Sequence, residues 1–530
     1  MKPVSRQVVD EVLRSLDIAD IGHATIRQCV NVSHELERIS GEKFVHLEFG
    51  IPGLKACGIG VEAQMRALED GVASVYPPAC GIKEMKENGS RFIKAFVGVD
   101  ISPEGIVPTV GSMQGCYNLL LESVQANPEK DTVVYLNPGF PSHYGQAKVL
   151  GVKSRMFDLY DFRGKAFREK LEEVFVDGRV AAIVYSNPNN PSWCCLTEEE
   201  LKDLGELCTK YDVIALEDMA YLCMDFRKDR SVPFQPPFQP TVARYTDNCV
   251  LMISASKIFS YAGERIAMVA ISDKLFNREY PALRERYGIG RFGDNFSLTY
   301  IYVNSSSCSH SAQYAFAKML GAAADGEYDF VGEMREYGRR ATRAKEIFLR
   351  HGFHLVYEKD LDEDVSDGFF FTIGYKEMTG SQLLLNLLRC GVCAITMVST
   401  RSSREGIRVC VSLLNSEKDF RGMDERLGAF VKLQELGKDR MMLLHQGQHI
   451  YTYHLEDSPT LGLIDRWLDY YLKGIDTGIQ NESKIYIENN LDQKLWMQEE
   501  VWPPKSYKSY RVQENGNQMI VDDLSQTIYD

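Results

Sequence analysis

The 530 residues contain no unbroken apolar run approaching the roughly 20 residues that a bilayer-spanning helix needs. The first 22, MKPVSRQVVDEVLRSLDIADIG, carry charges every few positions where a secretory leader would have an apolar core, so a cytosolic protein is expected. Basic excess is missing as well. Lys and Arg number 60 against 74 Asp and Glu, a formal net charge of -14 and a pI near 5.4, and that mean field argues against a nucleic-acid or anionic-membrane partner. The 13 cysteines have no repeated CxxC or Cys/His spacing, so neither a zinc module nor a disulfide scaffold is indicated and no metal site is expected. Adjacent Cys194 and Cys195 read as packing. Repeats and low-complexity tracts are absent apart from the loop-like SSSCSHS at Ser305 to Ser311.

What is present is an ordinary globular composition, 44% hydrophobic and 25% charged, on a chain too long for one core. Between about residues 110 and 275, β-branched apolar runs alternate with amphipathic stretches, the pattern of a parallel sheet covered by helices. Strands are predicted at Thr132–Leu136, Val180–Ser186, Val213–Glu217, Val250–Ser254 and Arg265–Ile271, with helices near Gly115–Gln125 and Glu198–Lys210. Thr197 followed by Glu200 makes a capping box for the second helix. The four prolines of Val232–Thr241, VPFQPPFQPT, predict an extended surface loop. From about Glu327 to Leu436, longer helices and shorter strands, at Gly368–Tyr375 and Ile407–Ser412, suit a smaller α+β domain.

Three segments carry the chemistry. SNPNNPSW (Ser186–Trp193) and EDMAY (Glu217–Tyr221) each sit at the carboxyl end of a predicted strand, and SASKIFSYAGERIA (Ser254–Ala267) joins two more. In parallel sheets, ligands bind outside the carboxyl ends of the strands, so all three can reach one crevice. In this order and at these spacings they resemble the signatures of class I/II aminotransferases, of pyridoxal 5′-phosphate (PLP) fold type I, over about residues 30 to 435. The resemblance implies an α/β fold: a large domain with a mostly parallel seven-stranded sheet covered by helices, plus a smaller α+β domain. The implied division is 1–71 for an N-terminal arm and part of the small domain, 72–305 for the large PLP-binding domain, 306–435 for the small domain and 436–530 for an appendage.

By the same resemblance Lys257 would hold PLP as a Schiff base and then move the substrate proton. Asp218 would face the ring nitrogen, Tyr221 and Asn190 the ring's 3′ oxygen, and Phe140, in NPGFPSHYG, the ring face. The turn Gly111-Ser112-Met113-Gln114-Gly115 would take the phosphate at a helix start, joined by Ser254 and Arg265. Arg408, in EGIRVCVS, with Asn190 and the backbone of Gly50, would hold the α-carboxylate of an amino acid. Tyr76, in YPPACG, resembles a tyrosine that reaches the phosphate of the neighbouring subunit, which implies a homodimer. Arg286 or Arg291 would be candidates for a substrate side-chain carboxylate from that neighbour. Departures from the family pattern are Trp193 after the NPS sequence, Ala267 for glycine, and Met113 in the phosphate turn; Trp193 is expected to narrow the site.

The implied activity is transfer of an amino group from an L-amino acid to a 2-oxo acid. A carbon–sulfur β-lyase or an amino-acid decarboxylase would keep Asp218, Tyr221, Lys257 and Arg265, so the sequence leaves these open, along with a non-catalytic PLP-binding regulator. Beyond about Asp439, MLLHQGQHIYTY, RWLDYYLKGIDTGIQ and IYIENNLDQKLWMQEEVWPP resemble, more weakly, the join between the hydrolase core and the C-terminal β-sandwich of X-prolyl dipeptidyl peptidases, with His449 at their triad histidine. No nucleophile turn accompanies it, so no peptidase activity is expected. RWLDYYL, Arg466–Leu472, has helical spacing.

Overall fold

The computed structural model of the chain describes residues 3–436 and, after them, 442–444, 459–473, 475–482, 485–488, 496–499, 509–515 and 518–524. Near the N-terminus, helix Ile26–Ser40 starts at a capping box. The Thr25 hydroxyl accepts from the Gln28 N–H, the Gln28 side chain accepts from the Thr25 N–H, and Gly41 in the left-handed region ends the helix. A short strand, β1 (Val45–His46), follows and pairs in parallel with Val392–Cys393.

The central sheet has seven strands: β2 (Ile106–Val110), β3 (Thr132–Asn137), β4 (Lys153–Asp158), β5 (Val180–Ser186), β6 (Ile214–Asp218), β7 (Cys249–Ser254) and β8 (Ile266–Ile271). Their spatial order is β2-β8-β7-β6-β5-β3-β4, and only β8 runs against its neighbours. Strands β3 and β5 to β8 are buried at every position, which is why they read as continuous apolar runs and not as alternations. The fold is therefore the α/β architecture that the sequence implies. One sheet face is sealed by helix Gly111–Ala126, the other by helices Lys165–Phe175 and Glu198–Lys210.

The direction of β8 matters for function. Chain leaving β2, β3, β5, β6 and β7 emerges at one edge of the sheet, and because β8 is reversed, the residue that precedes it, Arg265, arrives at that edge too. Segments far apart in sequence are thereby delivered to a single line.

Most predicted elements appear within a residue or two of their expected bounds, and the capping box of Glu198–Lys210 forms. The helix after β2 begins at Gly111, four residues sooner than expected, since Gly111 at φ 66° turns the chain straight from strand into helix. A smaller antiparallel sheet is ordered Ile395–Thr396, Ile407–Cys410, Phe370–Gly374, His354–Leu355. Helix His310–Ala324, assigned from sequence to the small domain, packs instead on Gly58–Glu69, Lys83–Phe96 and β8. Its alanines and glycine allow that close approach.

The chain separates into two compact units, residues 1–433 and 434–530. In the second, helix Pro459–Lys473 covers the expected Arg466–Leu472, and Met442–Leu444, Ile485–Glu488 and Trp496–Glu499 form a three-stranded sheet. His449 lies outside the described residues. Among the described residues, no helix is long and apolar enough to cross a membrane.

Candidate active site

At the shared sheet edge a cavity of about 350 Å³ opens. Its walls include Ser112, Met113, Phe140, Asn190, Asp218, Tyr221, Ser254, Lys257, Arg265, Arg408 and Gly50, so eleven of the thirteen predicted site residues meet there. Gln114 does not: its side chain turns back to accept from the Val110 N–H at 2.8 Å and to donate to the Ser305 hydroxyl. Tyr76 does not either, standing 87% exposed beside the Ser305–Ser311 loop. Arg291 pairs with Asp294 and Glu104 on the surface, and neither it nor Arg286 lines the cavity.

Lys257 lies in a four-residue helix begun by Ser254, whose hydroxyl accepts from the Ser256 N–H. Its Nζ donates to the Gly50 carbonyl and sits 5.3 Å from the Phe369 ring centre. Burial, with the Arg408 and Arg265 charges against the opposing pull of Cys410 and Asp218, brings the amine down to about 8. Asp218 is displaced the other way. Burial raises its carboxyl to about 6 although it accepts from the Ala220 N–H at 3.2 Å and feels Lys257. The nearest basic side chain is His143, with Nε2 at 3.5 Å, but burial lowers that imidazole to about 4 and leaves it neutral at ordinary pH. Among the described residues, then, no cation contacts the buried Asp218 carboxylate.

Asn190 links two further groups, donating to the Tyr221 hydroxyl at 3.2 Å and accepting from Arg408 at 3.4 Å. Arg408 is buried over the Phe370 ring, donates to the Glu48 carbonyl, and has no partner for Nε among the described residues. At the other end of the cavity, Gly111 gives Arg265 room, since a Cβ there would stand 2.4 Å from the Arg265 Nη2. Arg265 is itself left-handed at φ 53°, which swings its guanidinium back over the turn, where it donates to the Ala262 carbonyl at 2.8 Å.

Trp193 does not narrow the cavity. It is fully buried behind Tyr221, ring centres 5.2 Å apart, and fills the space above Gly368, where a Cβ would lie 2.1 Å from the indole. Its backbone is left-handed at φ 64°, a strained state for a bulky residue. The resemblance places glycine at this position, and burial of a side chain worth roughly 3–5 kcal/mol offsets the strain.

Sequence reasoning did not single out His143, Ile26 or Phe370. His143 follows Phe140 by one helical turn, at the start of helix Pro141–Leu150, and their rings meet edge to face at 5.4 Å. Ile26, the first residue of its helix, and Phe370 of the small sheet add apolar wall. Only tertiary contact reveals these two.

Comparison with known proteins bears on the family and the fold. Residues 54–419 match the family described as aminotransferase class I and II. A probable aspartate aminotransferase of Methanocaldococcus jannaschii is 25% identical over 297 residues, 55% of this chain and 75% of that protein. An asparagine–oxo-acid transaminase of Streptococcus mutans is 27% identical over 322 residues, 60% of this chain and 74% of its own length. Among solved structures, a double mutant of Thermus thermophilus aspartate aminotransferase superposes with a TM-score of 0.63 at 21% identity, covering 81% of this chain and 100% of that one.

Proposed function

The chain belongs to the class I and II aminotransferases, and on that premise we propose that it holds PLP in the cavity at the sheet edge and transfers the amino group of an L-amino acid to a 2-oxo acid. One observation carries the reading: Lys257 and Asp218, both buried and displaced toward their neutral forms, face the same cavity. Separately each would be costly; together they suit one ligand that offers an electrophile to the amine and a cation to the carboxylate.

The residues fit PLP at each of its ends. Asp218, with no cation in contact among the described residues, suits a protonated ring nitrogen, and the His143 ring stands beside that carboxylate at 3.5 Å. Tyr221 and Asn190 suit the ring oxygen, and Phe140 the ring face. The Gly111 turn, Ser112, Ser254 and Arg265 suit a phosphate, with N–H groups at a helix start and a guanidinium beside them. Bound there, PLP supplies an aldehyde for amines and a ring that draws electrons from the substrate's α-carbon.

The protein's part follows from its own groups. An amine brought down to about 8 is substantially neutral near that pH, as a nucleophile and then a proton carrier must be. The Gly50 carbonyl holds its N–H and sets its direction. Arg408, with Nε unpaired, is ready to take an α-carboxylate through parallel charged hydrogen bonds, and Asn190 keeps it aligned. Ile26 and Phe370 exclude water from the reacting carbon. The enzyme would act in the cytosol as a homodimer in which Tyr76 reaches a neighbour's phosphate; the exposure of Tyr76 and adjacent Val75 supports that pairing.

The test is an absorption spectrum of the purified protein with PLP, before and after single amino acids are added without an oxo acid. A visible band that one amino acid shifts to the near ultraviolet establishes half-transamination and names the donor. Release of pyruvate, ammonia or carbon dioxide instead would transfer the reading to a lyase or decarboxylase. No band at all would remove Lys257 from its role.

A further inference from the structure

Away from the cavity, three ligating side chains converge on the N-terminal segment. His34 and Glu37 are three residues apart on helix Ile26–Ser40 and so share a face, and His46 ends β1. One ligating atom from each lies within 4.8 Å of the others. His46 Nε2 is 3.4 Å from Glu37 Oε1, close to the ~3.3 Å that separates two ligands bound about 2.0 Å from a tetrahedral ion. The His34 and His46 rings meet edge to face at 5.5 Å.

The surroundings are built as well as the cluster. The second nitrogen of His46, Nδ1, is 2.7 Å from Glu48 Oε1. Glu48 is buried, and its other oxygen, Oε2, has no hydrogen-bond partner among the described residues. A carboxylate behind the non-ligating nitrogen of a histidine fixes which nitrogen faces the metal and makes it a stronger donor. Glu37 is likewise fixed, since its Oε1 accepts from the Phe44 N–H at 2.7 Å. His34 is exposed, which leaves an entry path and room for a water as fourth ligand.

We propose that His34, Glu37 and His46 bind a first-row transition-metal dication, zinc above all, with Glu48 orienting His46. Two imidazoles and one carboxylate exclude magnesium and calcium, which take oxygen ligands. A proton on His46, shared between Glu37 and Glu48, is the competing occupant. It gives no reason for a second imidazole at the same point, whereas a metal uses both.

The ion would tie helix Ile26–Ser40 to β1. The helix begins with Ile26 and β1 runs on to Phe49, Gly50 and Ile51, all on the cavity wall. Metal would therefore stiffen one side of the active site without touching it.

The full-length protein, stripped with a chelator, equilibrated with Zn2+ alone and freed of excess, should retain one more zinc per chain than its His34→Ala or Glu37→Gln variants. Co2+ in its place should give the intense visible bands of a four-coordinate ion in the wild type, lost in both variants. Glu48→Gln should weaken zinc binding roughly 10–100-fold. Equal zinc content in wild type and both variants overturns the proposal, because such zinc would be held elsewhere. So does a wild type that retains none.

Discussion

Glu217 and Asp218 are consecutive residues of β6 that face opposite sides of the sheet. Both are buried, and burial raises both, Glu217 to about 7 and Asp218 to about 6. On its side Glu217 is only half answered by the protein: its Oε2 accepts from the Thr241 hydroxyl at 2.7 Å and the Val242 N–H at 3.2 Å, its Oε1 has no hydrogen-bond partner among the described residues, and it lies away from the cavity wall. Asp218, on the side covered by helix Gly111–Ala126, has one backbone N–H and a neutral imidazole. A displaced carboxyl alone does not mark a site. What marks Asp218 is that it lines a cavity whose wall also carries Lys257.

Replacing Lys257 gives the largest expected effect. Lys257→Ala should lower transamination by at least about 10³-fold, within the range assigned to a positioned acid–base group, and should abolish the visible PLP band. Asp218→Asn should lower kcat by roughly 10²–10⁴-fold while leaving the apoprotein folded, since a neutral amide is cheaper to bury than an unpaired carboxylate. Glu217→Gln, one residue away, should leave kcat within about twofold; steady-state kinetics of the two variants side by side break the comparison if both lose activity equally.

Titration sharpens it further. Each acid binds its proton more tightly folded than unfolded, so the stability it lends at low pH is lost as pH rises, from 3.8 to about 6 for Asp218 and from 4.5 to about 7 for Glu217. Each swing is on the order of a few kcal/mol. Urea unfolding of the apoprotein across pH 4 to 8 should show both losses. Glu217→Gln should remove the upper one. Loading PLP should remove only the Asp218 share, because an ion pair keeps that carboxyl charged in the folded state. His143→Asn should lower kcat about tenfold, from the loss of one positioning contact worth ~1.4 kcal/mol.

Legibility in the sequence follows the same division. Residues whose roles depend on local chain geometry were readable: Asn190 and Asp218 at strand ends, Lys257 and Arg265 bracketing the β7–β8 connection. The buried strands were readable because they are predominantly apolar, with polar residues such as Glu217, Asp218 and Asn137 only at their ends. Gln114 was misplaced because the helix begins at Gly111, so that residues 112 and 113 face the cavity while 114 points back at Val110. His143 lay in a quoted motif, one turn past Phe140, but nothing local shows that it meets Asp218, which is 75 positions away. The His34–Glu37–His46 cluster escaped because the spacing between its helix and strand members matches no metal motif. Only the packing of helix Ile26–Ser40 beside β1 brings them together.

Trp193 and Gly368 raise a question of substitution order. The indole occupies the space that any side chain at 368 would need, and only glycine avoids a contact near 2 Å. In a relative with glycine at 193, a larger residue at 368 must therefore be lost before tryptophan can be gained, because the reverse order passes through a clash. The two positions form a one-way door. Anyone transplanting Trp193 into another member of the family should change the facing position first, and anyone restoring glycine at 193 should expect a void behind Tyr221 until 368 is refilled.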